Sequence, residues 1–295
     1  MTKLNKEKII RAGKISSEVK AYARTIIKKG IPLLEIAEKI ESKIIELGGK
    51  PAFPTNLSID DITAHYTPSH DDETLAHGLL KIDLGVHIDG WVADTAFSVD
   101  LENSEENKKL IEASEKALEN AIKNINSSTT LSQIGKKVQD TIESYGFSPI
   151  INLSGHSIEK NDLHSGLTIP NTDNGQQTPI GLGIRAIEPF ATSGSGKIYE
   201  GKLSGIYALT DDKNVRSPIA REILFYIAEE YQTLPFCSRW LVNKFGTKAL
   251  FGIKELERNG NLHQFEQLIE ITHKPVAQSE HTLLIEKDGT IITTL

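Results

Sequence analysis

The sequence holds a single cysteine, Cys237, so no intrachain disulfide can staple the fold and no paired-cysteine metal motif exists. It contains no run approaching the ~20 consecutive apolar residues of a membrane-spanning helix. Met1-Thr2-Lys3-Leu4-Asn5-Lys6-Glu7-Lys8 lacks the apolar stretch of a signal peptide, so a cytoplasmic location and no membrane partner are expected. The sequons at Asn56, Asn126 and Asn152 then carry no weight. Positive charge is in deficit, with 33 Lys and Arg against 40 Asp and Glu, which argues against a general nucleic-acid binder. There is no His-Glu-x-x-His zinc motif. Gly181-x-Gly183-x-x-Ala186 resembles a dinucleotide fingerprint but precedes an extended run, and Gly194-Ser195-Gly196-Lys197 lacks the full phosphate-loop spacing. What is present, 295 residues with 38% hydrophobic and 25% charged, is an ordinary globular balance that can bury a sizeable core.

The chain repeats itself. Helical patterns at Glu7–Lys29 and Leu33–Leu47 end at Gly48-Gly49, and extended chain through Asn56-Leu57-Ser58 follows. Helical patterns at Glu105–Asn124 and Leu131–Tyr145 end at Gly146, and extended chain through Asn152-Leu153-Ser154 follows. Two helix–helix–strand units predict a pseudo-two-fold α+β domain with a cleft between its halves. The half-repeats span about 5–100 and about 104–205 plus 276–295, inside one domain covering 1–295. The stretch from about 213 to 275, with helical patterns at Ser217–Tyr231, Ser238–Phe245 and Lys248–Arg258, has no counterpart in the first unit. It reads as a helical insertion of winged-helix type.

Leu79–Val99 is the clearest hairpin. Leu80, Ile82, Leu84, Val86 and Ile88 alternate with Lys81, Asp83, Gly85 and His87, and Asp89-Gly90 is a two-residue turn signal. That turn sets Asp83 opposite Ala96 and Asp94 opposite Gly85, which makes the two acids diagonal neighbours on one face, about 7–8 Å apart at Cα. Two carboxylates this close raise each other's pKa unless a cation sits between them. Because Gly85, Ala96 and Val92 are small or apolar, the face does not read as a solvated acidic surface. His156 sits in a glycine-punctuated stretch with His164 eight residues on. Glu188 lies inside an apolar run, and Glu280 lies within Val276–Ile285, which reads as one strand continuing into a hairpin at Asp288-Gly289. Four carboxylates and one histidine form an oxygen-rich set suited to Mn, Fe, Co or Zn. Two bridged cations could hold a hydroxide nucleophile at neutral pH. Cys237, beside Phe236 and Trp240, reads as packing.

In this order, Gly49–Ser58, Ala64–Pro68, Lys81–Ala96, Asn152–His156, Ile187–Phe190, Thr233–Trp240 and Glu280–Thr282 resemble type 2 methionine aminopeptidases of the short archaeal form. The resemblance covers nearly the whole chain. It implies the pita-bread fold, two divalent metal ions, and removal of the initiator methionine from nascent polypeptides when the second residue is small. It implies metal ligation by Asp83, Asp94, His156, Glu188 and Glu280, with Asp94 and Glu280 bridging. It also implies Glu188 as general base, His164 at the tetrahedral oxyanion, and His65 at the scissile amide. Phe53, Leu163, Phe190 and Phe265 would line the methionine pocket. Three positions depart from the family pattern: Ser279 stands where Phe is usual, Ser165 where Ala is usual, and Phe265 about where a pocket Tyr is common. No basic N-terminal arm is present, so only transient ribosome contact is expected, and the chain is expected to be a monomer. Met1-Thr2 would itself be a substrate. Proline-specific peptidases of the same fold share the five-ligand pattern, but the insertion and Thr233–Trp240 argue against them. A non-catalytic RNA- or ribosome-binding relative should have lost ligands and gained basic charge, and this chain has done neither.

Overall fold

The computed structural model describes residues 4–295; the Met1-Thr2 start lies outside them. The first unit opens with α1 (Lys6–Ile26) and α2 (Leu33–Glu46), followed by β1 (Lys50–Ile59), β2 (Ile62–Ala64), β3 (Leu79–Ile88) and β4 (Trp91–Asp100). Asn5 caps α1 by accepting from the Lys8 amide at 3.1 Å, which satisfies a donor the helix cannot. The buried positions of α1, Ile9, Ala12, Ile15, Ser16, Val19 and Ala23 among them, recur every three or four residues and turn one stripe onto the sheet. The second unit repeats the order with α3 (Glu105–Ile122), α4 (Leu131–Ser144), β5 (Ser148–Pro149), β6 (Ser154–Ile158), β7 (Thr168–Pro170), β8 (Gly183–Ile187) and β9 (Phe190–Thr192). Thr130 and Gln133 form a capping box at the start of α4. The remaining elements are β10 (Ile198–Leu209), α5 (Pro218–Glu230), β11 (Phe236–Cys237), α6 (Ser238–Phe245), α7 (Ala249–Arg258), β12 (Leu262–Glu270), β13 (Val276–Gln278), β14 (His281–Glu286) and β15 (Gly289–Ile292).

The two units share a strand plan. The first is the antiparallel trio β1-β3-β4. The second has the same trio with every strand interrupted: β5 and β6, β8 and β9, β13 and β14. The run 276–285, read above as one strand, is thus broken at Ser279-Glu280. Its register survives the break, because Gln278 faces Phe190, His281 faces Ile187, and three residues elapse on each side. The terminal hairpin turns through Lys287-Asp288 instead of Asp288-Gly289, since Gly289 already pairs with Glu286. Where the first unit needs only Asp89-Gly90 to reverse, both with positive φ, the second carries residues 193–275.

The trios meet along β4 and β13–β14, mostly through side chains. Thr95 Oγ1 donates to Glu280 O at 2.9 Å, Ser98 Oγ to Gln278 O at 2.8 Å, and the Asp94 amide to Thr282 Oγ1 at 2.8 Å. Helices α1 and α2 cover the first trio and α3 and α4 the second, each over its own apolar core. The face of β3 away from α1 holds Lys81, which is fully buried and donates to Asp60 O and Val276 O. Among the described residues no helix is long and apolar enough to cross a membrane.

Helices α5–α7 pack around a separate core that includes Ile223, Phe236, Leu241 and Leu256, with Cys237 buried beside it. An ion pair buried from water fastens them to the first unit. Arg239 on α6 meets Glu41 on α2 through two bonds of 2.7 and 2.8 Å. Trp240 Nε1 donates to the same carboxylate at 2.8 Å, and the Thr55 amide of β1 donates at 3.2 Å. Removing one buried partner leaves the other charge uncompensated. Glu41→Ala should lower unfolding free energy by about 3–5 kcal/mol in urea titration. The paired replacement Glu41→Leu with Arg239→Met should cost clearly less.

Candidate active site

The hairpin pairs as its turn dictates, Asp83 opposite Ala96 and Gly85 opposite Asp94. Gly85 is required by its neighbour across the sheet, since a Cβ there would lie 2.3 Å from Phe53 Cε1. Strand β1 carries a bulge at this point: Phe53 pairs with Gly85 and Asn56 with Asp83, three residues on β1 against two on β3. Bulges re-aim side chains, and this one turns both Phe53 and Asn56 onto a cavity.

The interrupted strands of the second unit supply the other groups. The unbroken register places Glu188 opposite Glu280, at the breaks in the β8–β9 and β13–β14 lines. Neither residue belongs to a strand, so both carboxylates are freed from the alternation of the sheet. His156 comes from β6, held close against β8, because a Cβ on Gly155 would sit 2.3 Å from Ala186 O. Asp94, His156 and Glu280 offer ligand atoms within 4.8 Å of one another. His156 Nε2 lies 3.6 Å from Glu188 Oε1 and 3.7 Å from Asp94 Oδ2. Asp83 joins from the far side of Asp94, its Oδ2 accepting from Gln278 Nε2 at 3.2 Å.

Glu280 is 1% exposed and Asp94 4%, so their charges lie almost out of water. Burial, then the neighbouring acids, pushes Asp94, Glu188 and Glu280 well above the ordinary carboxylate range. Burial raises Asp83 to about 6. Burial and the nearby His164 lower His156 to about 3, which keeps its imidazole neutral and a ligand. Asp83 Oδ1, Asp94 Oδ1 and Glu280 Oε1 have no hydrogen-bond partner. Buried acceptors without donors, crowded against like charges, fit a site built around cations. The oxygen-rich donor set with one imidazole suits divalent metals.

The site opens into a cavity of about 360 Å³. The sequence-derived residues His65, His164, Phe53, Leu163, Phe190 and Phe265 all line it, as do the five ligand candidates. His65 has a left-handed backbone, φ 64°, and its Nδ1 lies 3.0 Å from Glu266 O. A carbonyl partner needs a proton on Nδ1, which leaves Nε2 as the acceptor. Burial lowers the His65 pKa and keeps the ring neutral. Its ring meets Phe265 edge-on at 5.8 Å. His164 stands exposed at the mouth, edge-on to His156 at 4.3 Å between ring centroids. The departure at Ser279 falls outside the cavity: its hydroxyl bonds Ser114 of α3 at 2.9 Å. Ser165 likewise turns to Ser157 Oγ at 2.9 Å.

Sequence reasoning passed over Asn56, Ile206, Pro235 and Leu268, which also line the cavity. Ile206 and Leu268 belong to β10 and β12, a ribbon whose pairing crosses the whole insertion. Asn56 had a local signal, its place in the recurring Asn-Leu-Ser, but the bulge that aims it leaves no mark in composition.

The raised carboxylates predict how the metal-free protein responds to pH. An acid whose folded pKa is raised holds its proton in the folded state after the unfolded chain has lost it, so stability falls as pH rises. The neutral histidines act in the opposite sense, but only below about pH 6.5, their unfolded pKa. Lys81 and Lys20, whose pKa values burial lowers to about 7 and about 8, act in the opposite sense above those values. Between about pH 6.5 and 7 the chelated protein should therefore lose thermal stability, and an added divalent cation should remove the slope. A melting temperature of the chelated protein that rises over this window would contradict the account.

Residues 7–228 match the description Metallopeptidase family M24. The methionine aminopeptidase of Thermococcus onnurineus (strain NA1) is 45% identical, over 98% of this chain and 99% of its own length. That of Methanocaldococcus jannaschii is 44% identical, over 98% of each. Among solved structures, the methionine aminopeptidase of Thermotoga maritima has a TM-score of 0.70 at 21% identity, covering 99% of this chain and 98% of that one. A thermophilic Arx1 scores 0.81 at 19% identity, covering 99% and 91%. The chain shares the pita-bread fold of these neighbours. The chain belongs to metallopeptidase family M24, among its methionine aminopeptidases.

Proposed function

We propose that this chain removes the N-terminal methionine from newly made polypeptides whose second residue is small. The observation that carries this reading is the meeting of an orphaned carboxylate–imidazole set with an apolar cavity walled by Phe53, Leu163, Phe190 and Phe265. In this reading Asp83, Asp94, His156, Glu188 and Glu280 would hold two divalent cations drawn from Co, Mn, Fe or Zn. When bound, such cations lower the pKa of water and polarise a substrate carbonyl.

The protein groups divide the remaining work. The aromatic and aliphatic walls take the unbranched methionine side chain, which adapts to irregular apolar space. Glu188 takes the proton of the attacking water and passes it towards the leaving nitrogen. His164, at the mouth beside His156, donates to the developing oxyanion. His65 presents an unprotonated Nε2 and accepts the N–H of the scissile amide. That contact also separates this reading from a proline-specific peptidase, because an Xaa-Pro bond has no N–H to offer. All groups come from one chain, so the site is complete in a monomer. With a net charge of −7, the chain offers no broadly basic surface, which suits a transient ribosome contact.

With metal restored, Met-Ala-Ser should be cleaved and Xaa-Pro peptides should not; the reverse order would overturn the reading. Asp94→Ala should lose metal and activity together while circular dichroism stays native. His164→Ala should lower kcat by about 10²–10³ with metal content kept. Elemental analysis should find two ions per chain in the loaded protein.

A further inference from the structure

On the reading that the cavity receives a peptide N-terminus, we infer that Asn56 determines specificity for a free α-amino group, its Oδ1 accepting a hydrogen bond from that amine. The inference starts at the bulge in β1, which turns Asn56 onto the cavity wall opposite Asp83. The amide of Asn56 has one orientation. Its Nδ2 donates to Pro54 O at 2.8 Å, and exchanging the two ends would set one carbonyl against another. Oδ1 is the end left over, and it has no partner although the residue is only 6% exposed. A buried acceptor without a donor is costly, so a position that keeps one is suited to a donor that arrives from outside.

The other polar groups nearby are committed or misplaced. Asn152 on the same wall is spent, its Nδ2 and Oδ1 both bonded to the backbone of Ile198. Of the other neutral orphans, Thr55 Oγ1, Ser193 Oγ and Gln267 Oε1 belong to residues outside the wall, and His156 Nδ1 belongs to the imidazole already counted in the candidate cation set. Phe53 and Asn56 flank the bulge together, an apolar surface and an acceptor on one strand. The side chain and the amine of an N-terminal residue branch from one Cα and could meet both. The Thr55 amide between them is held by Glu41, itself fixed by Arg239, so the acceptor is placed before substrate arrives. An acylated chain end would give up donors and push bulk against Asn56.

The test uses metal-loaded protein and two ligands: L-methionine and 4-(methylthio)butanoic acid, which lacks only the amine. By calorimetry, Asn56→Leu, of similar shape without an acceptor, should bind methionine about 10- to 100-fold more weakly and the des-amino acid as the parent does. Asn56→Asp, which keeps an acceptor, should retain methionine binding. Equal weakening of both ligands would assign Asn56 to pocket shape and overturn the inference, as would unchanged methionine binding. A loss of bound metal in Asn56→Leu would also overturn it, placing the residue in support of the cations. If Asn56→Leu does not fold, Asn56→Ser, whose hydroxyl falls short of the site, decides by the same comparison. A parent protein that cleaves Met-Ala-Ser keeps the function standing whatever Asn56 does; one that neither cleaves it nor binds methionine removes both.

Discussion

Four carboxylates packed out of water around one imidazole cannot all be ionised without a countercharge. Coulomb repulsion between such groups at a few ångströms in a poorly polarisable interior is far larger than anything surface acids experience. Asp94 and Glu280 are almost inaccessible, and Asp83 and Glu188 press on them from either side. The fold holds this arrangement by distributing it. Two acids stand on a rigid hairpin, and the other two stand on breaks in the strands that face each other across the second unit. The local stability of the metal-free site is sacrificed for a cation site with little freedom left to lose.

The pseudo-two-fold plan explains why the breaks lie where they do. In the first unit the trio runs uninterrupted and its turn is two residues long. In the second unit each strand stops and restarts without losing register, so a residue at the break keeps its neighbour while its side chain is freed from the in-out alternation. The hydroxyls of Thr95, Ser98 and Thr282 join the two trios at this level. The seam between the halves is thereby also the floor of the site. The insertion does its part from the opposite side, its ribbon adding Phe265 and Leu268 to the wall while the Glu41–Arg239 pair fixes its seat.

Much of this was legible in the chain. The alternation over Leu79–Ile88 and the Asp89-Gly90 turn were enough to set the register, because a two-residue turn admits only one, and a period-2 pattern leaves no doubt about faces. The helices likewise followed from stripes of apolar residues and their caps. The run Val276–Ile285 holds no glycine or proline to mark a break, and it reads as one continuous strand. Its interruption at Ser279-Glu280 is imposed by the bond from the Glu280 amide to Ala96 O across the seam. The terminal turn slipped by one residue because Asp-Gly reads as a turn pair, whereas Gly289 is used here as the first residue of the strand.

Alone, the sequence determined the helices, the hairpin that sets Asp83 and Asp94 on one face, and the identity of the polar residues gathered at the site, because these depend on local periodicity, turn chemistry and residue type. Only the tertiary structure decided that Asp83, Asp94, His156, Glu188 and Glu280 share one low-dielectric pocket. It alone decided that Phe265 reaches that pocket from the insertion, that Ser279 turns away to Ser114, and that Asn56 keeps an unfilled oxygen beside Asp83. The physical reason is that each of these depends on contacts between segments far apart in the chain, where burial and like-charge crowding arise from packing and have no signature in any single stretch of sequence.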